Sequence, residues 1–187
     1  MDVSAHSVRA WSGEAAELEA AADLYANVFS EPPYDEDPNE SRATFLDRVE
    51  RYANLPHFRL LLARRDDDVV GLALGNGIAA GDRWRDRILP QLPADVGEEW
   101  FGDEAFAVVE LATVSAHRRS GVASALLARL VDGLPYPAAV LSAYAAADEA
   151  RLFYRRQGWT ELAAGVRLGD APELCLFGLH LTPQPGE

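Results

Sequence analysis

An α/β fold is what this chain predicts, and three observations predict it. Short strand-like apolar runs alternate along the sequence with segments whose apolar residues recur at helical spacing. The 187 residues are 49% hydrophobic and 25% charged, a globular balance able to bury about 70% of the extended surface. No repeat and no linker-like stretch divides the chain, so residues 1–187 are read as one domain.

Val3 to Trp11 reads as a first strand. From Glu14 to Phe29 a helix is indicated by Leu18, Ala21, Ala22, Tyr25, Val28 and Phe29. Pro32, Pro33 and Pro38 interrupt it, and Ser41 is the expected N-cap of a second helix carrying Phe45, Leu46, Val49 and Tyr52. Phe58 to Arg64 and Val69 to Leu74 form a predicted hairpin turned by Asp66, Asp67 and Asp68, and ended by Gly75, Gly77 and Gly81. Residues 79–103 read as a loop-rich insertion containing Trp84 and Trp100. A strand from Ala105 to Val114 precedes a helix opening near Gly121, with Val122, Leu126, Leu130 and Leu134 on one stripe and Pro135 beyond. Ala138 to Ala143 is the next strand, and Asp148 to Gln157 the next helix, closed by Gly158. Trp159 to Leu162 and Glu173 to Leu181 are the last strands, with a frayed tail from Thr182 to Glu187.

Charge narrows the function. The net charge is -13, which disfavours binding to a phosphate backbone, so no nucleic-acid partner is expected. Every basic residue is an arginine, which excludes lysine nucleophiles, Schiff bases and the P-loop lysine. Nor is there a GKS or GKT element or a GxGxxG run, so an unrelated nucleotide-binding α/β protein is disfavoured. Cys175 stands alone, and His6, His57 and His180 are scattered, so neither a disulfide nor a metal site is expected. The apolar runs are shorter than a membrane span, and the start MDVSAHSVRAW lacks a signal-peptide pattern. No membrane association and a cytoplasmic location are the expectations.

The most informative run is Arg118-Arg119-Ser120-Gly121-Val122-Ala123, which leaves a strand and enters a helix of small first residues. Unpaired helix-terminal N–H groups, a permissive glycine and two planar cations suit phosphate oxygens. A tight strand-to-helix turn with surface arginines would look the same.

ELATVSAHRRSGVASALL resembles the acyl-CoA signature of the GCN5-related N-acetyltransferase (GNAT) superfamily, with Arg118, Gly121 and Ala123 meeting its Arg/Gln-x-x-Gly-x-Gly/Ala core. ARLFYRRQGW, Ala150 to Trp159, is similar to that family's later helix, and residues 105–162 carry the elements between in the expected order. The resemblance implies a central mixed β-sheet flanked by helices on both faces, with acetyl-CoA as cosubstrate and no metal. Residues 105–162 become the acyl-CoA core, and residues 14–54 supply acceptor-site helices and loops.

The pyrophosphate is then expected against Arg118, Arg119, Ser120, Gly121, Val122 and Ala123, and the pantetheine arm along Leu111 and Thr113. Tyr154 matches the family tyrosine that protonates the departing thiolate, although its spacing also suits a core tyrosine. Glu110, in an otherwise apolar strand, is either a base for the attacking amine or a solvated or salt-bridged carboxylate. Glu31, Tyr34 and Asp35 are acceptor-site candidates for a cationic amine, while acidic loops equally serve solubility. Three positions depart from the family pattern: Ser115 for a proline, Ala147 for an asparagine and Thr113 for a valine. Ala147 removes one expected side-chain contact.

The expected activity is acetyl transfer to a primary amine of a small molecule or peptide by direct attack. A non-catalytic acyl-CoA sensor of the same fold is the alternative. The family also implies a homodimer, with the apolar strand Leu174 to Leu181 at its interface.

Overall fold

The computed structural model describes residues 6–182. In chain order the elements are β1 (Ser7–Ala10), α1 (Ala15–Phe29), α2 (Pro38–Tyr52), β2 (Arg59–Arg65), β3 (Asp68–Ala79), α3 (Arg83–Ile88), α4 (Ala94–Trp100), β4 (Glu104–Thr113), α5 (Val122–Val131), β5 (Ala138–Tyr144), α6 (Asp148–Arg156), β6 (Thr160–Val166) and β7 (Leu174–His180). The strands hydrogen-bond in the order β1-β2-β3-β4-β5-β7-β6, with β4·β5 parallel, so the predicted α/β class with a mixed sheet holds. Contacts cluster into two compact units, one of residues up to 75 with 110–132, the other of 76–109 with 133 onward. The start of the predicted first strand, residues 3–5, and the tail residues 183–187 lie outside the described residues.

In the first unit α1 buries Ala21, Ala22, Leu24, Tyr25, Ala26 and Val28, where the small side chains permit close approach. The N-cap of α2 is Asp37 and not Ser41: its carboxylate accepts from the backbone N–H of Asn39 and Glu40, and Pro38 occupies the first helical position. Proline is tolerated there because that N–H has no intrahelical partner. Ser41 is instead buried and its hydroxyl donates to Glu36. The β2–β3 hairpin pairs Arg65 with Asp68 around a two-residue turn, with Asp66 at φ 55°. β3 does not stop at Gly75 or Gly77 but runs on to Ala79. At Gly71 a Cβ would come within 2.8 Å of Val122 Cγ1, 3.0 Å of Leu126 Cδ1 and 3.1 Å of the Ala112 carbonyl. The absence of a side chain there lets α5 lie directly on the strand.

The other end of α5 is fastened from β2. Arg59 Nη1 donates to the carbonyls of Leu130 at 2.8 Å and Asp132 at 2.7 Å, satisfying acceptors that a helix C-terminus leaves over. A guanidinium also complements the negative end of the helix dipole. Helix α5 therefore ends at Val131, before Leu134 and Pro135. Arg59→Met should lower the stability by about 1.5–3 kcal/mol, the range for hydrogen bonds from a charged donor. Urea denaturation measures this; a midpoint equal to wild type would show that the cap contributes nothing.

In the second unit residues 79–103 are mostly helical: α3 is capped by Asp82, whose carboxylate accepts from Arg85 N at 2.9 Å, and α4 ends at Trp100. Helices of six and seven residues are too short for an apolar period to show. Trp100 and Phe101 are buried with Ile78, Ile88, Val140 and Leu176. The Trp100 ring lies over Gly178 and stacks on His180 at 4.0 Å between centroids.

Strand β7 is paired on one side with β5 and on the other with β6. The strand expected at a dimer interface, Leu174 to Leu181, is thus no exposed edge, and a dimer through it cannot form by strand-edge pairing. Cys175 is buried, which pushes its thiol above the ordinary value.

Candidate functional site

In the first unit the last residues of β4 feed the junction that the sequence singles out. Val114 N donates to Val70 O at 3.1 Å, tying the strand end to β3. A 3-10 turn, Ser115–His117, follows, and Ser120 Oγ donates to the His117 carbonyl at 2.6 Å. The chain then passes through the left-handed region twice, at Arg119 (φ 60°) and Gly121 (φ 85°), before α5 begins.

No side chain caps α5. The first intrahelical bond from the cap is Ala125 N to Gly121 O, at 3.0 Å, so the amides of the first turn point out of the helix with its partial positive charge. A Cβ at Gly121 would meet nothing closer than His6 Cε1 at 4.0 Å, and the backbone here is open to close approach. The run 118–123 thus forms an amide-lined cradle at the head of a ten-residue helix, with chemistry fit for a phosphate group.

Just before it, Thr113 is 8% exposed and its hydroxyl oxygen is buried without a hydrogen-bond partner. Such a group is costly unless something supplies the missing bond. Nothing in the sequence pattern singles out this hydroxyl. Leu111, two residues earlier, is partly buried.

Arg118 and Glu31, assigned to different roles from sequence, are joined: Nη2 donates to Glu31 Oε2 at 2.6 Å. The Arg118 Nε reaches the Thr113 carbonyl at 3.4 Å. Tyr34 leans on Phe29 with centroids 4.7 Å apart. Burial raises its phenol above the ordinary value, partly offset by the Arg118 charge. Glu31 and Tyr34 therefore stand beside the junction, while Asp35 is exposed, with φ 49°.

Glu110 is 7% exposed. It forms an ion pair with Arg48 of α2, and the Tyr25 hydroxyl of α1 donates to its Oε1 at 3.3 Å. Arg48 Nη1 also lies 3.4 Å from the Tyr25 oxygen, closing a three-member cluster. Of the two readings left open by the sequence, the salt-bridged carboxylate describes its surroundings. The sequence places Tyr25 only on the apolar stripe of α1 and does not single out Arg48. The only signal was an arginine set between Phe45 and Val49 on the buried side of α2.

Tyr154 belongs to the second unit, where it is 9% exposed and packs edge-on to Trp159 and tilted against Phe177, at 6.1 and 5.7 Å. Gly158, at φ 85°, turns the chain so that Trp159 N donates to Tyr154 O at 3.1 Å. In the same unit the parallel ladder of β4 with β5 comprises Phe106↔Ala139 and Ala107↔Val140. Ala147 precedes α6 without a side-chain cap.

Among the described residues no group of three or more His, Cys, Asp or Glu could hold a metal, and no helix is long and apolar enough to cross a membrane. A separate cleft of about 640 Å³ in the first unit is lined by Trp11, Phe58, Arg59, Arg129 and Asp132 among others, and contains none of the candidate site residues.

A family model described as acetyltransferase (GNAT) family matches residues 18–159. A search of curated proteins by sequence gave no significant match. Among solved structures the fold is similar to histone acetyltransferase HPA2 and related acetyltransferase from Corynebacterium glutamicum: 22% identity, 95% of this chain and 98% of that one covered, TM-score 0.66. It is similar to Arabidopsis thaliana NAA60 in complex with acetyl-CoA, with 18% identity, 95% and 100% covered and a TM-score of 0.63. It is also similar to the ribosomal-protein-S18-alanine N-acetyltransferase of Escherichia coli, with 15% identity, 98% and 97% covered and a TM-score of 0.63.

Proposed function

The chain belongs to the GNAT acetyltransferase family, and on that premise we propose that it transfers an acetyl group from acetyl-CoA to a primary amine of a small molecule or peptide by direct attack. The observation that supports this most is the uncapped head of α5 behind Gly121. Its outward amides, from Val122 and Ala123, together with Arg119 and Ser120, would hold the pyrophosphate. The backbone of Leu111 and Thr113 would pair with the pantetheine amides, and the buried Thr113 hydroxyl is suited to supply one further bond.

When bound, acetyl-CoA supplies an activated thioester carbonyl. Glu110 is the proposed acceptor of the proton that the attacking amine loses, directly or through a water. Tyr154 is the proposed donor to the departing sulfur through its phenolic Oη. Glu31, Tyr34 and Asp35 are assigned to the amine's surroundings, where carboxylates and a ring favour a cation. A cytoplasmic location and, from the family resemblance, a homodimer are part of this proposal; a monomer by light scattering at tens of micromolar would refute the dimer.

A second reading has an observation in its favour. Glu110 is already ion-paired within the chain, as an acyl-CoA sensor without catalysis would permit. Free-thiol release from acetyl-CoA, screened across amines, amino acids, polyamines, aminoglycosides and peptides, tests the enzyme. In the presence of the acceptor so found, Tyr154→Phe should lower turnover by up to about 10²-fold, the lower end of what general acid catalysis provides. Acetyl-CoA affinity should stay unchanged. Full turnover in this variant would remove Tyr154 from the mechanism, and no release with any acceptor would favour the sensor.

A further inference from the structure

Arg48 lies outside both family-like runs, yet its guanidinium forms an ion pair with the buried Glu110 carboxylate. We propose that Arg48, steadied by Tyr25, is a positioning residue for Glu110: it keeps the carboxylate ionised and fixed in place, so that it can accept a proton near neutral pH. The inference rests on the reading of Glu110 as the proton acceptor.

The physical case starts from burial. A carboxylate with 8% of its side chain exposed, placed on an apolar strand with no cation, is driven toward its neutral, protonated form, in which it cannot act as a base. The opposite charge reverses this. Arg48 is itself 24% exposed, so its charge stays partly hydrated while it offers one face to Glu110.

The groups that face the carboxylate can be followed element by element. From α2 there is Arg48, and from α1 the Tyr25 hydroxyl, a neutral donor at 3.3 Å. The neighbouring β3 stretch from Val70 to Leu74 carries no titratable side chain. The buried residues of α5 are Val122, Leu126, Leu127 and Leu130, all apolar. Among the described contacts of Glu110, Arg48 is the cation paired with its carboxylate. Tyr25 is held in turn by stacking on Phe45 at 5.0 Å and by Phe29 at 4.3 Å. It fixes the carboxylate's orientation without adding charge.

The test is a carboxyl titration of the full chain, followed by carbon-13 NMR with labelled glutamate and assigned by difference from Glu110→Gln. Arg48→Met should move the Glu110 midpoint up by about one to three pH units, the range an adjacent opposite charge commands. Arg48→Lys should return most of the shift. The acidic limb of kcat/KM for the acceptor should move in the same direction, with rate recovered at high pH.

An unchanged midpoint in Arg48→Met overturns the proposal, as does a midpoint that Arg48→Lys fails to restore. Should Arg48→Met fail to fold, the double variant Arg48→Met/Glu110→Gln decides. Recovery of folding shows that an uncompensated charge was the fault, and no recovery contradicts the pairing. The titration needs no acceptor and no acetyl-CoA, so a wild type that fails to bind acetyl-CoA overturns the family-based function while leaving this measurement to stand or fall separately.

Discussion

Gly178→Val should lower the melting temperature by roughly 10 °C or more. Gly178 lies in β7, paired on both sides, so its backbone cannot retreat. A Cβ there would run into the Trp100 ring, at 2.7 Å from Cζ3 and 2.9 Å from Cδ2. Trp100 is 7% exposed and held among Ile88, Phe101 and Leu176, so a rigid bicycle would have to be expelled from the core. Overpacking costs about 1–3 kcal/mol, occasionally more, and exposing a large aromatic adds to it. At this chain length each kcal/mol moves the midpoint by about 2–4 °C. Trp100→Leu should make the valine less damaging. If Gly178→Val melts within a degree or two of wild type, the account of this packing is wrong.

Gly121→Val should weaken acetyl-CoA binding by about 100-fold or more while leaving a folded protein. Two effects separate cleanly here. For the fold, the residue sits at φ 85° and a Cβ would meet only His6 Cε1 at 4.0 Å. The cost is then backbone strain of about 1–3 kcal/mol, with no steric clash. For the ligand, a branched side chain projects into the space over the first-turn amides, which a pyrophosphate needs. Calorimetric titration with acetyl-CoA reads the second effect and the melting temperature the first. Unimpaired binding in Gly121→Val would mean that the head of α5 is not the phosphate site.

What the sequence disclosed, and what it withheld, follows from the range of the interactions. The helical stripe of α1, the apolar run of β4 and the Gly121 turn are local patterns, and each appeared close to its observed place. The cap of α2 shifted from Ser41 to Asp37 because two residue types that both cap well stand four apart, with a proline between them that a first helical turn accepts. The Trp100–Gly178 contact, the Arg59 clasp on α5 and the Arg48–Tyr25–Glu110 cluster each join residues dozens of positions apart, and no periodicity announces them. The candidate site divides in the same way. Its phosphate cradle is one contiguous run and was readable, whereas the partners that set Glu110 and Arg118 come from α2 and from the turn after α1.

The central claim is that this chain binds acetyl-CoA through the head of α5. The most direct measurement is the melting temperature of the wild-type protein titrated with acetyl-CoA. A ligand bound only by the folded state at 100 times its dissociation constant adds about 2.7 kcal/mol, which at this size is a rise of roughly 5–10 °C. The account predicts a saturating rise of that order, largely lost in Gly121→Val. No shift with acetyl-CoA or with longer acyl-CoAs up to millimolar concentration would contradict it.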